Sequence, residues 1–286
     1  MRLPLDTLAE RIEELRAIDP VSKRIATITS EAIRPGPLKD ALSGTWIGHA
    51  LHPALTDLVV GSWTSALILD LVGGERAEAA ADTLVGVGIL SALPTVATGL
   101  NDWADTTGRE QRMGFVHGAG NVAALGIYAL SYVARRSGRR GLGVALGMLG
   151  GGIASVTAYL GGHLVFDRAV GVNQTATEHR PRRWVTALNA SELPDRTPVL
   201  ARAGGEPMML YRRDGEILAI AERCSHRGGP LHQGEIDDAA CTVTCPWHGS
   251  IFRLRDGAIE RGPATSKQPT YEAREHDGAI EVRATA

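Results

Sequence analysis

The sequence has few aromatic residues, few cysteines and almost no net charge. Of 286 residues, 5% are aromatic and 3 are cysteine, and the net charge at pH 7 is -2. Three cysteines are too few for a disulfide framework, and a near-neutral chain gives no reason to expect a nucleic-acid partner. The start, MRLPLDTLAERIEEL, lacks a basic stretch followed by an apolar one, so we expect no secretory signal.

Apolar residues make up 44% of the chain and are concentrated in its middle. Each of four apolar runs approaches the ~20 residues that a helix needs to cross a hydrocarbon layer of ~30 Å. The runs are rich in small residues, which let membrane helices pack closely. Since four such runs in series are unusual in one soluble domain, we predict a membrane bundle rather than a soluble one. The runs cover residues 54–72, 83–100, 115–134 and 142–160.

The flanking regions read as ordinary soluble sequence. Apolar residues at helical spacing between Leu5 and Leu15 predict a short amphipathic helix. Near the C-terminus, short β-type runs (PVLARA, PMMLYRR, ILAIAER, CTVTC, SIFRLR and AIEVRA) separated by turns predict a small antiparallel β domain. The predicted organisation is multi-domain: a polar segment over 1–44, an all-α four-helix transmembrane bundle over 45–170, a linker over 171–183 and a small all-β domain over 184–286.

Two motifs in the β region carry metal-ligand chemistry. CSHRGGP starts at Cys224 and CPWHGS starts at Cys245, so each motif places one cysteine and one histidine on a tight loop. In a Rieske centre two thiolates hold one iron and two imidazoles hold the other. Cys224 and Cys245 would take the first role, and His226 and His248 the second. The other interpretation is a zinc site, but zinc motifs usually group both cysteines in one knuckle and both histidines in the other.

These motifs closely resemble the Rieske family over residues 184–286. The resemblance implies a [2Fe–2S] cluster on the four residues just named, and a third loop over the cluster at GPA, residues 262–264. Family members in respiratory bc-type complexes carry a further cysteine in each ligand loop. This sequence has Gly229 or its neighbours and Trp247 there, so it is similar to the ferredoxin and oxygenase branch, without that disulfide.

Five further residues are expected around the cluster. Gly228 and Gly249 would let the backbone approach the inorganic sulfides, and Pro263 belongs to the third loop. The resemblance implies that Ser250 donates a hydrogen bond toward a sulfide, whereas Phe252 replaces a tyrosine that donates to sulfur in high-potential members. Because hydrogen bonds to sulfur tune the potential, we predict the low-to-middle part of the range of roughly -150 to +300 mV.

Four histidines lie at the ends of the apolar runs. His49 and His52 precede the first run, His117 begins the third and His163 follows the fourth. In an alternating bundle with short connections, these positions fall at the same end. His49 and His52 would share a helix face if the first helix began early. Three interpretations stay open: a haem held by two of the histidines, a quinone or second metal site, or histidines that only hydrogen-bond helix ends and loops.

Residues 45–173 also resemble an uncharacterised bacterial family of four-span predicted membrane proteins. The resemblance rests on the HP pair near the first run and on the ending GG-x-LVF-x(4)-GV. It implies residence in a membrane and carries no activity.

The predicted function is a multi-pass protein of the cell membrane that passes single electrons between a redox partner protein and a membrane or quinone site. It would be the electron-transfer component of an oxidoreductase. One alternative is a subunit of a membrane oxidoreductase that acts on quinol or an apolar substrate, with haem in the bundle; another is an iron–sulfur redox sensor. Positively charged loops usually lie on the cytoplasmic side, but arginines occur at both ends of the bundle, so this rule hardly favours either orientation. Because we expect no export signal, we predict a cytoplasmic Rieske domain.

Overall fold

The computed structural model describes residues 4–285, which form two compact units. The first unit contains residues 4–33 and 50–170 and is helical, and the second contains residues 34–49 and 171–285 and is mostly β. Residues 1–3 of the predicted polar segment and Ala286 of the predicted β domain lie outside the described residues.

Four long helices form the centre of the first unit. Along the described chain the α-helices are α1 (Pro4–Glu14), α2 (Asp19–Ala32), α3 (Pro37–Ser43), α4 (Leu51–Val72), α5 (Glu78–Ala104), α6 (Gly108–Arg136) and α7 (Arg140–Phe166). Helices α4 to α7 are each long and apolar enough to cross a membrane, with mean hydropathies of 1.3 to 1.7. The fold class predicted from the four apolar runs is therefore confirmed.

The bundle is built from two helical hairpins. Helix α4 packs along α5 and α6 along α7, while α5 also contacts α6 and α4 contacts α7, so α4 and α6 are diagonal to each other. Each hairpin turns at a glycine with positive φ, Gly74 at 60° and Gly138 at 75°, a conformation that costs glycine little. Between the diagonal helices, Trp63 stacks on Tyr128 with ring centroids 3.9 Å apart.

Two shorter helices complete the helical unit. Helix α1 is the predicted amphipathic helix, and its Ala9 and Ile12 pack with Met113 and Leu160 of the bundle. Helix α2 was not predicted. It packs against α5 and α6 through a narrow face of small residues, Ser22, Ala26 and Thr29, which gives little apolar periodicity.

The second unit contains two antiparallel sheets. The six-stranded sheet has the order β1-β10-β9-β4-β3-β2 and the four-stranded sheet has the order β5-β6-β7-β8. The strands are β1 (Val185–Asn189), β2 (Val199–Ala203), β3 (Glu206–Arg213), β4 (Glu216–Ala221), β5 (Glu235–Asp237), β6 (Thr242–Thr244), β7 (Ile251–Arg253), β8 (Ile259–Arg261), β9 (Thr270–His276) and β10 (Ala279–Ala284). The small all-β domain predicted from the short apolar runs is present.

In this unit one short strand was not predicted and one local expectation was wrong. The stretch QGEIDD contains β5, because Ile236 packs on the core while Glu235 and Asp237 point outward and the backbone pairs with β6. Cys241 was expected in a strand. It is buried but lies in the turn before β6, with φ at 57°.

Candidate metal centre

The two loops that carry the four predicted ligands share one backbone geometry. The first follows β4 and carries Cys224 and His226, and the second joins β6 to β7 and carries Cys245 and His248. In each loop the cysteine N–H donates to the carbonyl five residues later, over 2.9 Å at Cys224 and 2.8 Å at Cys245. In each, the glycine four residues later donates to the cysteine carbonyl, over 2.8 and 3.1 Å. The loops therefore hold their cysteines in equivalent positions.

Glycines make this loop geometry accessible. Gly228 and Gly249 have φ of 75° and 76°, a region in which a Cβ is disfavoured. Gly229 is required for a different reason, because a Cβ there would lie 2.8 Å from the sulfur of Cys245. The predicted approach of Gly228 and Gly249 to inorganic sulfides stays a prediction.

The two thiols lie side by side in the core. Cys224 and Cys245 are 1% and 2% exposed, and the thiol of Cys224 donates a hydrogen bond to the sulfur of Cys245. That bond and burial raise the pKa of Cys224, and the same bond lowers the pKa of Cys245 to about 7. Each sulfur also accepts backbone N–H groups of its own loop, which favours the thiolate form that binds metals. The donors are His226 and Arg227 in the first loop and Trp247 and His248 in the second.

The two imidazoles face each other and are less buried than the thiols. The rings of His226 and His248 are edge to face, with centroids 5.0 Å apart, and both residues are half-buried. Burial lowers the pKa of His226 well below its ordinary value, and the neighbouring His248, Arg227 and Lys39 lower it further. A neutral imidazole is the form that ligates a metal.

The donor set fits a Rieske [2Fe–2S] cluster. Two adjacent buried thiols and two facing imidazoles supply the ligand types that such a cluster needs on its two irons. All three cysteines are free thiols in the structure. The assignment of the four individual ligands stays a proposal.

The remaining predicted residues surround the ligand loops. Ser250 is fully buried, and its Oγ accepts the N–H of Ala264 over 3.0 Å, which leaves the serine hydroxyl hydrogen to donate elsewhere. Pro263 is buried in the same third loop. Phe252 is fully buried in the core cluster that contains both ligand cysteines. A hydrogen bond from Ser250 to a sulfide stays a prediction.

A segment that sequence reasoning did not connect with the site packs on these loops. Asp40 Oδ1 accepts the N–H of Gly262 over 2.9 Å, and Thr45 Oγ1 donates to the carbonyl of Ala264 over 3.1 Å. Pro35 lies against Gly249, because a Cβ added at Gly249 would lie 3.0 Å from Cγ of Pro35. Residues 34–49 thus hold the third loop, although nothing local in their sequence indicates it.

The four histidines near the apolar runs have different surroundings. Helix α4 begins at Leu51, so His49 precedes it, lies exposed in the second unit and shares no helix face with His52. His163 is fixed at both ring nitrogens, by Glu13 at 2.9 Å and Asp167 at 2.6 Å.

His52 and His117 lie in the bundle and are held alike. Nδ1 of His52 donates to the carbonyl of Thr95 over 2.9 Å, and Nδ1 of His117 donates to the carbonyl of Thr157 over 2.8 Å. Since a carbonyl can only accept, both rings carry their proton on Nδ1 in this arrangement.

Comparison with known proteins identifies two families in the chain. Residues 183–272 match the Rieske [2Fe-2S] domain, and residues 48–174 match the predicted membrane protein family DUF2231. The ferredoxin subunit of anthranilate 1,2-dioxygenase from Burkholderia cepacia is 30% identical over 106 residues, which are 37% of this chain and 96% of that protein. The ferredoxin subunit of 3-phenylpropionate/cinnamic acid dioxygenase from Photorhabdus laumondii is 40% identical over 26% of this chain and 69% of its own length.

Among solved structures, the ferredoxin of carbazole 1,9a-dioxygenase from Nocardioides aromaticivorans IC177 is 24% identical, with a TM-score of 0.34, over 36% of this chain and 98% of that one. The matches to ferredoxin subunits cover the β unit, and the match to DUF2231 covers the four long helices. The chain therefore belongs to the Rieske [2Fe–2S] family, as an iron–sulfur electron-transfer domain of the ferredoxin type fused to a predicted membrane domain.

Proposed function

We propose that this protein is a membrane-anchored one-electron carrier whose cluster is held by Cys224, Cys245, His226 and His248. Two equivalent loops bring two thiols and two imidazoles together, and this arrangement supports the proposal. A bound [2Fe–2S] cluster would supply one-electron oxidation and reduction, with a potential set by its ligands and their hydrogen bonds.

The protein around the ligands favours electron exchange with a partner on the side of the two imidazoles. The thiols lie in the core, whereas His226 and His248 are half-buried. Beside His248, the ring of Trp247 is 57% exposed, and exposed tryptophan is a common anchor of protein interfaces. We therefore place the docking site of a redox partner protein around Trp247.

The four apolar helices would keep this exchange at a membrane surface. Similar ferredoxin subunits belong to dioxygenases, which supports a protein partner of the oxidoreductase class for this chain as well. A partner at the same membrane, or a quinone within it, would exchange electrons with the tethered domain. We place the Rieske domain on the cytoplasmic side.

Electron stoichiometry at the cluster tests the proposal. Detergent-purified full-length protein is reduced with dithionite, freed of excess reductant and mixed with cytochrome c as a one-electron acceptor. We expect the signal of the reduced cluster to disappear as one equivalent of cytochrome c is reduced per cluster. Cys245→Ser is the control and should deliver no electron from a cluster. A reduced cluster that passes no electron to cytochrome c or to a quinone analogue would contradict the role of carrier.

The docking assignment has its own test. Trp247→Ala should slow the transfer to a protein acceptor by about tenfold, since a hot-spot side chain contributes about 1–2 kcal/mol, and leave the cluster signal unchanged. Trp46, which is 71% exposed in the same unit, is the matched control as Trp46→Ala. Equal rates for Trp247→Ala and the wild type would remove the docking site from this surface.

A further inference from the structure

The four long helices contain an internal repeat of one helical hairpin. The pattern G-x(3)-A-x(2)-T-x(3)-G occurs in α5 and again in α7, and H-x-A-x(6)-G-x-[WY] occurs in α4 and again in α6. The paired positions are Gly88 and Gly150, Ala92 and Ala154, Thr95 and Thr157, Gly99 and Gly161, His52 and His117, Ala54 and Ala119, Gly61 and Gly126, and Trp63 and Tyr128. Several of these paired residues also make equivalent contacts within their own hairpins.

Each hairpin seats its histidine in the same way. Besides the bond from Nδ1 to a threonine carbonyl, each ring packs on the glycine one turn beyond that threonine. A Cβ at Gly99 would lie 2.6 Å from the ring of His52, and a Cβ at Gly161 would lie 2.9 Å from the ring of His117. The aromatic residues repeat this arrangement, with Trp63 on Gly88 and Tyr128 on Gly150. Equivalent residues thus have equivalent partners.

Equivalent residues of the two hairpins also meet each other. Trp63 stacks on Tyr128 with an interplanar angle of 14°. Seven residues later in the same two helices, Asp70 and Arg135 form a buried ion pair. Two contacts between equivalent positions of the diagonal helices α4 and α6 define a pseudo-two-fold axis along the bundle.

His52 and His117 belong to the same axial series. They precede Trp63 and Tyr128 by eleven residues, about three helical turns, and so lie on the same helix faces. Because Trp63 and Tyr128 meet between these two helices, the helix faces that carry them turn both histidines toward the axis. Cofactor and metal sites in helical bundles are built from inward side chains on facing helices.

We propose that Nε2 of His52 and Nε2 of His117 ligate iron on this axis, either as an ion or at the centre of a porphyrin. Among the residues that the structure describes, His52 has hydrogen bonds with the Thr95 carbonyl and Thr98 Oγ1, both at Nδ1, so its Nε2 keeps a lone pair. Ligating histidines commonly donate their other N–H to a backbone carbonyl, which fixes the ring and raises its basicity. Histidine inside a membrane segment is costly without such a role.

The environment of His117 is compatible with the same role. Its Nε2 accepts a hydrogen bond from Asn121 Nδ2 over 3.1 Å, so Nε2 carries a lone pair that already binds a donor. Asn121 is held through its Oδ1 by the hydroxyl of Thr157 over 2.7 Å. Ligation would replace one amide hydrogen bond. The site would give the proposed electron carrier a second redox centre and thus rests on that proposed function.

Iron content and optical spectra of four full-length proteins test the site. The proteins are the wild type, His52→Gln, His117→Gln and the control His49→Gln, whose histidine is exposed in the other unit. Glutamine keeps a donor for the threonine carbonyl, so the hairpins should still fold. We expect about three irons per chain in the wild type and the control, two of them in the cluster, and about two in each of the other variants.

Different measurements report on the form of the third iron and on the presence of the cluster. A pyridine haemochromogen that is lost in both bundle variants assigns haem, and a third iron without porphyrin assigns the ion. If the wild type holds two irons and takes up neither ferrous iron nor hemin when titrated, the site is overturned. A third iron that survives both glutamine variants also overturns it. In each case the cluster spectrum reports independently on the proposed carrier.

Discussion

Cys224 and Cys241 are both cysteines of one hydrophobic core, 1% and 5% exposed, but only Cys224 shares a hydrogen bond with a second thiol. Burial therefore does not distinguish a ligand from a space-filling thiol. The difference lies in the loop around each residue, because Cys224 accepts two backbone N–H groups of its own loop. Backbone N–H groups that donate to a sulfur stabilise the thiolate, which is the form that binds metals. We therefore propose Cys224 and not Cys241 as the ligand.

Replacing each cysteine separates these roles. Cys224→Ser should abolish the electron paramagnetic resonance signal of the dithionite-reduced cluster and lower the iron content by about two atoms per chain. Cys241→Ser should keep both and lose at most ~1–3 kcal/mol of stability through burial of a hydroxyl. A cluster signal in Cys224→Ser, or its loss in a folded Cys241→Ser protein, would show that the ligands are assigned wrongly.

Glu178 gives the β unit a pH dependence away from the cluster. Its carboxylate oxygens are buried without a hydrogen-bond partner among the described residues. Burial, and next the charge of Glu206, raise the pKa of Glu178 to about 7, against the opposite effect of Arg223 and Arg180. The folded state then binds more protons than the unfolded state between about pH 4.5 and 7, so stability falls as the pH rises through this window.

Glu178→Gln should remove this loss. We expect the variant to have a higher free energy of unfolding than the wild type at pH 8 and a similar one at pH 4.5, as measured by chemical denaturation at both values. Glu235→Gln, on the exposed side of β5, is the control and should differ little at either pH. A stabilisation that is the same at both pH values would refute a protonation effect.

At the level of elements, one end of the bundle is held by buried charges. Arg135 on α6 has a side chain 1% exposed and contacts Asp70 on α4, 3% exposed, and Asp82 on α5 at 2.9 Å. Arg140 on α7 reaches the same two carboxylates, at 2.8 Å to Asp70 and 2.9 Å to Asp82. The network therefore joins all four long helices.

Breaking this network from one side should be costly. Arg135→Met is expected to destabilise the protein by about 3 kcal/mol, because it leaves the buried Asp70 with Arg140 alone. The double variant Asp70→Leu/Arg135→Met should lose less than the sum of the two single variants. Thermal unfolding in detergent measures all three. Strictly additive losses would mean that the two side chains are not coupled.

Helices, strands and ligand loops were predictable where a short stretch of sequence carries the pattern by itself. The four spans are long apolar runs and each matches one helix, and the ligand motifs name four side chains on two loops. Strand β9 was not predicted, because most of TYEAREH is exposed and charged and shows no apolar alternation. Strand β1 likewise consists of five residues without a fully buried position.

Parts of the site that depend on distant pairing could not be read from the sequence. Asp40 and Gly262 are 222 residues apart in the chain, and Thr45 and Ala264 are 219 apart. No spacing rule connects residues over such separations. The twofold relation of His52 and His117 is visible in the sequence, but its meaning depends on which carbonyls and glycines their rings contact.

For the molecule as a whole, the proposed membrane-anchored carrier requires stable insertion in a membrane. The helices have mean hydropathies of 1.3 to 1.7 over their most apolar windows, so the protein should stay in the membrane pellet after an alkaline carbonate wash. Protease added to inverted vesicles should digest the Rieske domain, and protease added to right-side-out vesicles should not. Release into the supernatant would contradict the anchor, and the opposite protease pattern would reverse the orientation.

We have proposed that this one chain holds a Rieske cluster through two cysteines and two histidines. A pulsed electron paramagnetic resonance measurement on the reduced full-length protein, labelled with ¹⁵N-histidine, tests all of this at once. We expect a [2Fe–2S] signal coupled to two histidine nitrogens, one of which is lost in His226→Cys and the other in His248→Cys. An iron–sulfur signal without histidine coupling, or a folded protein that binds zinc and no iron, would contradict it.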